Sequence, residues 1–138
     1  MEIDYKINVK IDLEDMIELY VDSTLGERRP VQDRECMAQM LEEADLVVTA
    51  WDGDLLVGIA RTLTDWCYCA YLSDLAVRLS YQKKGIGRRL IHQTQQSLGP
   101  NATLILLAAP KAQEYYPHIG MEGHPSAWVL RPGDSVKE

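Results

Sequence analysis

The chain has 138 residues, 14 Lys and Arg against 21 Asp and Glu, a net charge of −7, and 46% apolar and 25% charged residues. That balance suits a folded globule rather than a disordered chain, and the length suits one domain with a core of its own. The acidity argues against a general nucleic-acid or anionic-membrane binder, since both need basic surface.

No repeat or low-complexity tract divides residues 1–138, so they read as a single domain. Tyr5, Ile7, Val9 and Ile11 alternate and predict a strand over 5–11. Asp12 reads as a helix N-cap with Asp15 three residues on. Leu13, Met16, Ile17, Tyr20 and Thr24 follow at helical spacing, and Gly26 ends the run. A loop over 27–31 holds Arg28 and Arg29, and Met37, Met40, Leu41 and Ala44 predict a second helix. Residues 46–51 and 55–63 are strands around an Asp52-Gly53-Asp54 hairpin turn, and Cys67–Val77 is the third strand of this meander. Residues 85–98 read as a helix with Ile86, Leu90, Thr94 and Leu98 on one face, stopped by Gly99-Pro100. Thr103–Ala109 is almost wholly apolar and predicts a central strand buried on both faces. A short helix over 112–119 and a last strand at Trp128–Leu130 complete the order β-α-α-β-β-β-α-β-α-β. The single strand–helix–strand crossover places 72–77 and 103–109 side by side and parallel. The fold class is α+β, a mixed, mostly antiparallel sheet flanked by helices.

Cys36, Cys67 and Cys69 are odd in number and lack C-x-x-C spacing; they read as buried, reduced thiols of a cytoplasmic protein. The start Met1-Glu2-Ile3-Asp4 has no basic or apolar signal region, and no apolar run approaches the ~20 residues of a membrane span. His118 and His124 have no ligand spacing with each other or with the cysteines, so no metal site is expected, and His92 falls away from its helix's apolar stripe. Trp51, Trp66 and Trp128 read as core or interface residues.

The net charge is unevenly spread. Residues 75–99 carry five basic and no acidic side chains, whereas residues 1–46 carry five basic and thirteen acidic ones. The basic segment holds Gln82-Lys83-Lys84-Gly85-Ile86-Gly87-Arg88-Arg89, where a strand passes through a glycine-containing turn into a helix. Unpaired N–H groups at a helix start, the positive end of the helix dipole and glycines that admit a ligand to the backbone make a phosphate cradle. A tight turn with solubilising charges is the plainer reading of the same residues. The chain has neither G-x-x-x-x-G-K-[ST] nor G-x-G-x-x-G, which excludes a Walker A loop and a dinucleotide fingerprint.

The pattern Q-x-x-G-x-G after Leu75-Ala76-Val77 resembles the GCN5-related N-acetyltransferase (GNAT) superfamily. Ala112-Gln113-Glu114-Tyr115-Tyr116-Pro117-His118-Ile119-Gly120-Met121 is similar to the superfamily's A-x-x-F-Y-x-x-x-G-F signature, in the expected order and spacing. Leu79 stands where proline is common, and Tyr115 and Met121 stand where Phe is usual. The resemblance implies the GNAT fold and direct acetyl transfer from acetyl-CoA to a primary amine. It implies that two parallel strands splay to admit the pantetheine, with backbone groups of Leu75, Ala76 and Val77 holding it. Amides from Gln82 through Lys83, Lys84, Gly85, Ile86, Gly87 and Arg88 would take the pyrophosphate. Lys83, Lys84, Arg88 and Arg89 all stay open as partners of the 3′-phosphate. Tyr116 is the implied general acid. Tyr71 stands where some members carry a glutamate base, a role its ordinary pKa of ~10 does not suit.

Asp74 has two readings, an acceptor-binding or water-ordering carboxylate and a structural one. Tyr71 lines the acceptor side in this reading, and Ser73 either lines it as well or merely packs. Arg28 and Arg29 stand on the loop that borders the acceptor in the superfamily, where they read either as carboxylate ligands or as a solvated pair. The acidic N-terminal half favours a cationic small-molecule amine. A protein lysine as acceptor and a non-catalytic acetyl-CoA-binding module are the competing readings. A homodimer is common in the superfamily.

Overall fold

A computed structural model describes residues 2–137. Among these, residues 2–107 form one compact unit and residues 108–137 a second.

The first unit is built on a five-stranded sheet in the order β1-β2-β3-β4-β5: β1 Asp4–Ile7, β2 Leu46–Asp52, β3 Leu55–Thr64, β4 Cys69–Val77 and β5 Thr103–Ile105. Each neighbouring pair is antiparallel except β4–β5, which is parallel as the crossover requires, but it is Cys69–Tyr71 that pairs with Thr103–Ile105, not the expected 72–77. Helices α1 (Leu13–Asp22) and α2 (Arg34–Glu43) join β1 to β2, and α3 (Ile86–Gln96) joins β4 to β5. Asp12 caps α1 by accepting from the Glu14 N–H at 2.8 Å, and Asp33 caps α2 through the Cys36 N–H at 3.1 Å. Met16, Leu19, Tyr20 and Met37 of the two helices pack on Val47, Leu56, Ile59 and Ala76 of the sheet, forming a buried core on that face. Ile86, Leu90, Ile91 and Thr94 of α3 are buried as well.

Several expectations are corrected. The first strand stops at Ile7, because Asn8 turns out of the ladder at φ 53° and donates its backbone N–H to Val47 O. Helix α1 ends at Asp22, before Gly26, and Leu25–Arg28 forms a separate 3-10 turn. Gly99 is needed for a close approach: its N–H donates to Trp66 O at 2.7 Å, and a Cβ there would lie 2.8 Å from that oxygen.

The apolar run 103–109 is not a central strand. β5 keeps three residues at the sheet edge, with Ile105 51% exposed, and the chain leaves the ladder after it. Continuous apolar sequence signals burial on two faces only where other layers cover both sides of the strand, and no residue of β5 is buried. Cys67 and Cys69 are exposed rather than buried, because Asp65 Oδ1 accepts from the N–H groups of Cys67, Tyr68 and Cys69 and holds the chain in a turn.

In the second unit, a 3-10 turn Pro110–Ala112 precedes the short helix α4, Tyr115–His118. Trp128–Leu130 makes no strand, and Trp128 is 90% exposed. No helix is long and apolar enough to cross a membrane, and no three His, Cys, Asp or Glu among the described residues converge to hold a metal.

Candidate active site

β4 has two neighbours at its start and one at its end. Cys69, Ala70 and Tyr71 pair with Thr103, Leu104 and Ile105, and the parallel ladder stops there. Pairing with β3 continues to Val77. The Arg78 N–H donates to Val57 O at 2.9 Å, so antiparallel alternation turns the amides of Ala76 and Asp74 toward β3 and those of Leu75 and Val77 away from it. The carbonyls confirm the alternation: Val77 O accepts from Gln82 Nε2 at 2.9 Å and Ser73 O from Arg29 at 2.7 Å. Among the described residues no strand covers this edge of β4 from Leu72 to Val77.

The open edge leads into a turn. After Arg78 come a 3-10 turn Leu79–Tyr81, then Gln82, Lys83 and Lys84, and Gly85 is the N-cap of α3. Gly85 has φ +83° and Lys83 φ +62°, a conformation that costs an L-residue about 1 kcal/mol. Gly85 supplies no side-chain cap, and the first turn of α3 holds no acidic residue. Arg89 is the first residue to bond back into the helix, to Gly85 O at 3.1 Å, so the N–H groups of Ile86, Gly87 and Arg88 lack a helical partner. A Cβ built on Gly85 would meet only an Arg88 nitrogen at 4.0 Å, so the backbone is open to a ligand.

The four basic candidates divide. The Arg89 guanidinium lies 5.5 Å over the Tyr5 ring, and the Lys84 ammonium 5.8 Å over Tyr81. Lys83 and Arg88 are exposed and make no ion pair among the described residues. The turn itself is anchored. Tyr81 Oη donates to Asp52 at 2.6 Å, the Leu79 N–H to Asp22 at 3.0 Å, and Arg78 binds Leu56 O at 2.7 Å and Glu18 at 3.0 Å.

A second cluster lies on the α1 side of the sheet. Asp74 is fully buried. Its Oδ2 accepts from Tyr20 Oη at 2.6 Å and Arg61 Nε at 2.5 Å, and its Oδ1 from Arg29 Nε at 2.6 Å. Burial alone would raise the Asp74 carboxyl, but the hydrogen bonds and charge of Arg61, with Tyr20 and Arg29, hold it below the usual carboxylate range. Burial, then the Asp74 charge, pushes the Tyr20 phenol well above its ordinary value. Arg61 also binds Met40 O and Ser73 Oγ, tying α2 to β4. Arg29 is therefore held on Asp74 rather than being one of a solvated pair, with part of its side chain still exposed, whereas Arg28 is exposed. Tyr20 and Arg61 escaped the sequence reading. The one available signal was Arg61 itself, a lone charge inside the apolar strand Leu55–Thr64.

In the second unit, Tyr116 meets Tyr115 edge to face with ring centroids 5.3 Å apart. Burial, and then the Tyr115 phenol, raise the Tyr116 pKa above the ordinary tyrosine value, so it holds its proton at neutral pH.

These features can be set beside known proteins. The family described as the acetyltransferase (GNAT) domain matches residues 21–127, which include the open edge, the cradle and Tyr116. The chain belongs to the GNAT acetyltransferases. A GNAT-family acetyltransferase from Streptococcus pneumoniae is 26% identical over 94% of this chain and 99% of that one, with a TM-score of 0.72. An aminoglycoside N-acetyltransferase in complex with coenzyme A is 18% identical over 94% of each chain, with a TM-score of 0.71. An aminoglycoside acetyltransferase from an uncultured soil sample, in complex with sisomicin, is 19% identical over 94% of each chain, with a TM-score of 0.69. The two aminoglycoside enzymes bear on the fold of this GNAT chain and not on its substrate.

Proposed function

We propose that this GNAT protein transfers the acetyl group of acetyl-CoA to a primary amine of a small molecule. The open edge of β4 running into the uncapped, basic start of α3 carries the reading, since it offers backbone groups and then positive charge along one line. Backbone groups of Leu75 and Val77 fit the pantetheine, with Ala76 between them turned to β3. The amides of Ile86, Gly87 and Arg88 fit the pyrophosphate beside Gln82, Lys83, Lys84 and Gly85. Of the basic groups, Lys83 and Arg88 are the ones free to meet a 3′-phosphate. Acetyl-CoA supplies the acetyl group as an activated thioester. Tyr116 is protonated at neutral pH and so is suited to donate to the leaving thiolate. Asp74 is spent on Arg29, Arg61 and Tyr20, so we assign it to positioning rather than to contact with the acceptor. Unpaired cysteines, two of them exposed, suit the reducing cytoplasm.

The test is thiol release from acetyl-CoA with a panel of small amines, run beside calorimetric binding of coenzyme A. Release with at least one amine is expected. Tight coenzyme A binding with no release on any small amine, peptide or protein would assign the chain to a non-catalytic binding role.

A further inference from the structure

The acceptor class follows from a row of side chains beside the Arg29–Asp74 cluster, and the inference rests on the acetyltransferase reading above. β3 and β4 are offset where Arg61 pairs with Asp74 but Thr62 pairs with Leu72, so Ser73 is an extra residue. Such a bulge shifts the alternation of the strand that carries it. Asp74 and Tyr71 thereby face the same side, opposite Arg61 and Leu63 of β3, which are two residues apart. Ile105 of β5 is paired with Tyr71 and continues the row.

The two rows differ in cover. Arg61 and Asp74 are buried, with Tyr20 of α1 and the α2 carbonyl of Met40 bonded to them. One step along the strand, about 7 Å away, Leu63, Tyr71 and Ile105 are 40%, 38% and 51% exposed. They form a shelf of three apolar side chains across three strands, where the β4–β5 ladder ends and the open edge of β4 begins.

Arg29 sits at the polar end of that shelf. Its side chain is 21% exposed, and Asp74, Arg28 O and Ser73 O take three of its N–H groups. A guanidinium has five, so two remain. Arg28 beside it is exposed and unpaired among the described residues. With Glu27 of the same turn counted, Arg28, Arg29 and Arg61 set three guanidinium groups against two carboxylates. A carboxylate finds a planar, pre-held donor in the unused N–H groups of Arg29.

We infer that the acceptor is a small amine bearing a carboxylate and an apolar group, the composition of an apolar amino acid, with the carboxylate on Arg29 and the apolar group on the Leu63–Tyr71–Ile105 shelf. Arg29 and Tyr71 then determine specificity.

Thiol release is compared for L-phenylalanine, L-phenylalaninamide, glycine and the polycation sisomicin, with calorimetric titration of L-phenylalanine into the coenzyme A-loaded protein. The expected kcat/KM is roughly tenfold or more higher for L-phenylalanine than for its amide, and higher than for glycine or sisomicin. Arg29→Gln, which leaves Asp74 paired with Arg61 and Tyr20, should level the acid and the amide. Tyr71→Ala, a change at an exposed site, should level L-phenylalanine and glycine while keeping the preference for acid over amide. A purely structural role would lower all rates together and leave these ratios unchanged. Equal rates for acid and amide, or a preference for sisomicin, overturns the inference and leaves the acetyltransferase reading standing. Binding of L-phenylalanine lost in Arg29→Gln, without turnover of any amine, keeps the carboxylate site and overturns the acetyltransferase reading. Neither turnover nor binding overturns both.

Discussion

The two clusters of arginine and lysine in this protein are built in opposite ways. At the start of α3, Lys83 and Arg88 stand in solvent, with no carboxylate among the described residues to pair them. Beside β4, Arg29 and Arg61 are drawn onto a fully buried carboxylate. The first arrangement leaves charge and backbone N–H groups available to a ligand, at little cost to stability. The second uses most of its charge internally and gives a rigid frame, with a remainder showing only through Arg29. Basic residues alone therefore do not identify a binding surface; what they are already bonded to decides it.

The largest expected effect tests that contrast through stability. Asp74→Ala leaves two guanidinium groups and the Tyr20 hydroxyl without their partner, and should cost about 3–5 kcal/mol in urea unfolding. Lys83→Ala should change the same measurement by no more than about 0.5 kcal/mol. Cofactor binding tests the other cluster. Gly87→Glu puts bulk and negative charge into the first turn of α3 and should abolish coenzyme A binding by calorimetry in a protein whose circular dichroism is unchanged. If that variant folds and binds normally, the cradle is misplaced.

Tyr116→Phe should lower kcat by about 100-fold, at the lower end for general acid catalysis, with coenzyme A affinity nearly unchanged. An unaltered kcat in a chemistry-limited assay rules out the acid role. Acid pH separates the clusters further. The Asp74 pKa is depressed in the folded protein, so its stabilisation is complete above the unfolded value of about 3.9 and is lost as pH falls below it. Unfolding free energy should therefore show an extra loss below about pH 4 that Asp74→Asn does not share. The smallest effect is on affinity: Lys83→Ala and Arg88→Ala should each weaken coenzyme A binding several-fold at low salt, and less at high salt, where exposed charges are screened.

The turn into α3 was legible because its residues are neighbours in the chain. Gln82 to Arg88 set the turn, the αL glycine and the helix start within seven positions, and local conformation follows from local sequence. The meander was legible for the same reason, from its β-rich runs and its Asp-Gly turn. The Asp74 cluster joins residues up to 54 positions apart. Its members read singly as a core tyrosine, a loop pair and an ambiguous carboxylate, and no spacing in the chain links them.

The apolar run 103–109 shows the converse failure, since its composition describes what a strand can bury and not whether other elements come to cover it. From the sequence alone came the order of strands and α-helices as far as α4, the parallel sense of the β4–β5 crossover and the glycine turn into α3, because periodicity, capping and glycine geometry act over a few residues. Only the tertiary structure decided that β4 keeps an open edge after Tyr71, that a bulge at Ser73 turns Tyr71 and Asp74 to one face, and that Asp74 is already occupied. Those are matters of which distant groups meet, and burial makes them binding: a carboxylate out of water must hold its partners, and here the partners are two arginines and a tyrosine.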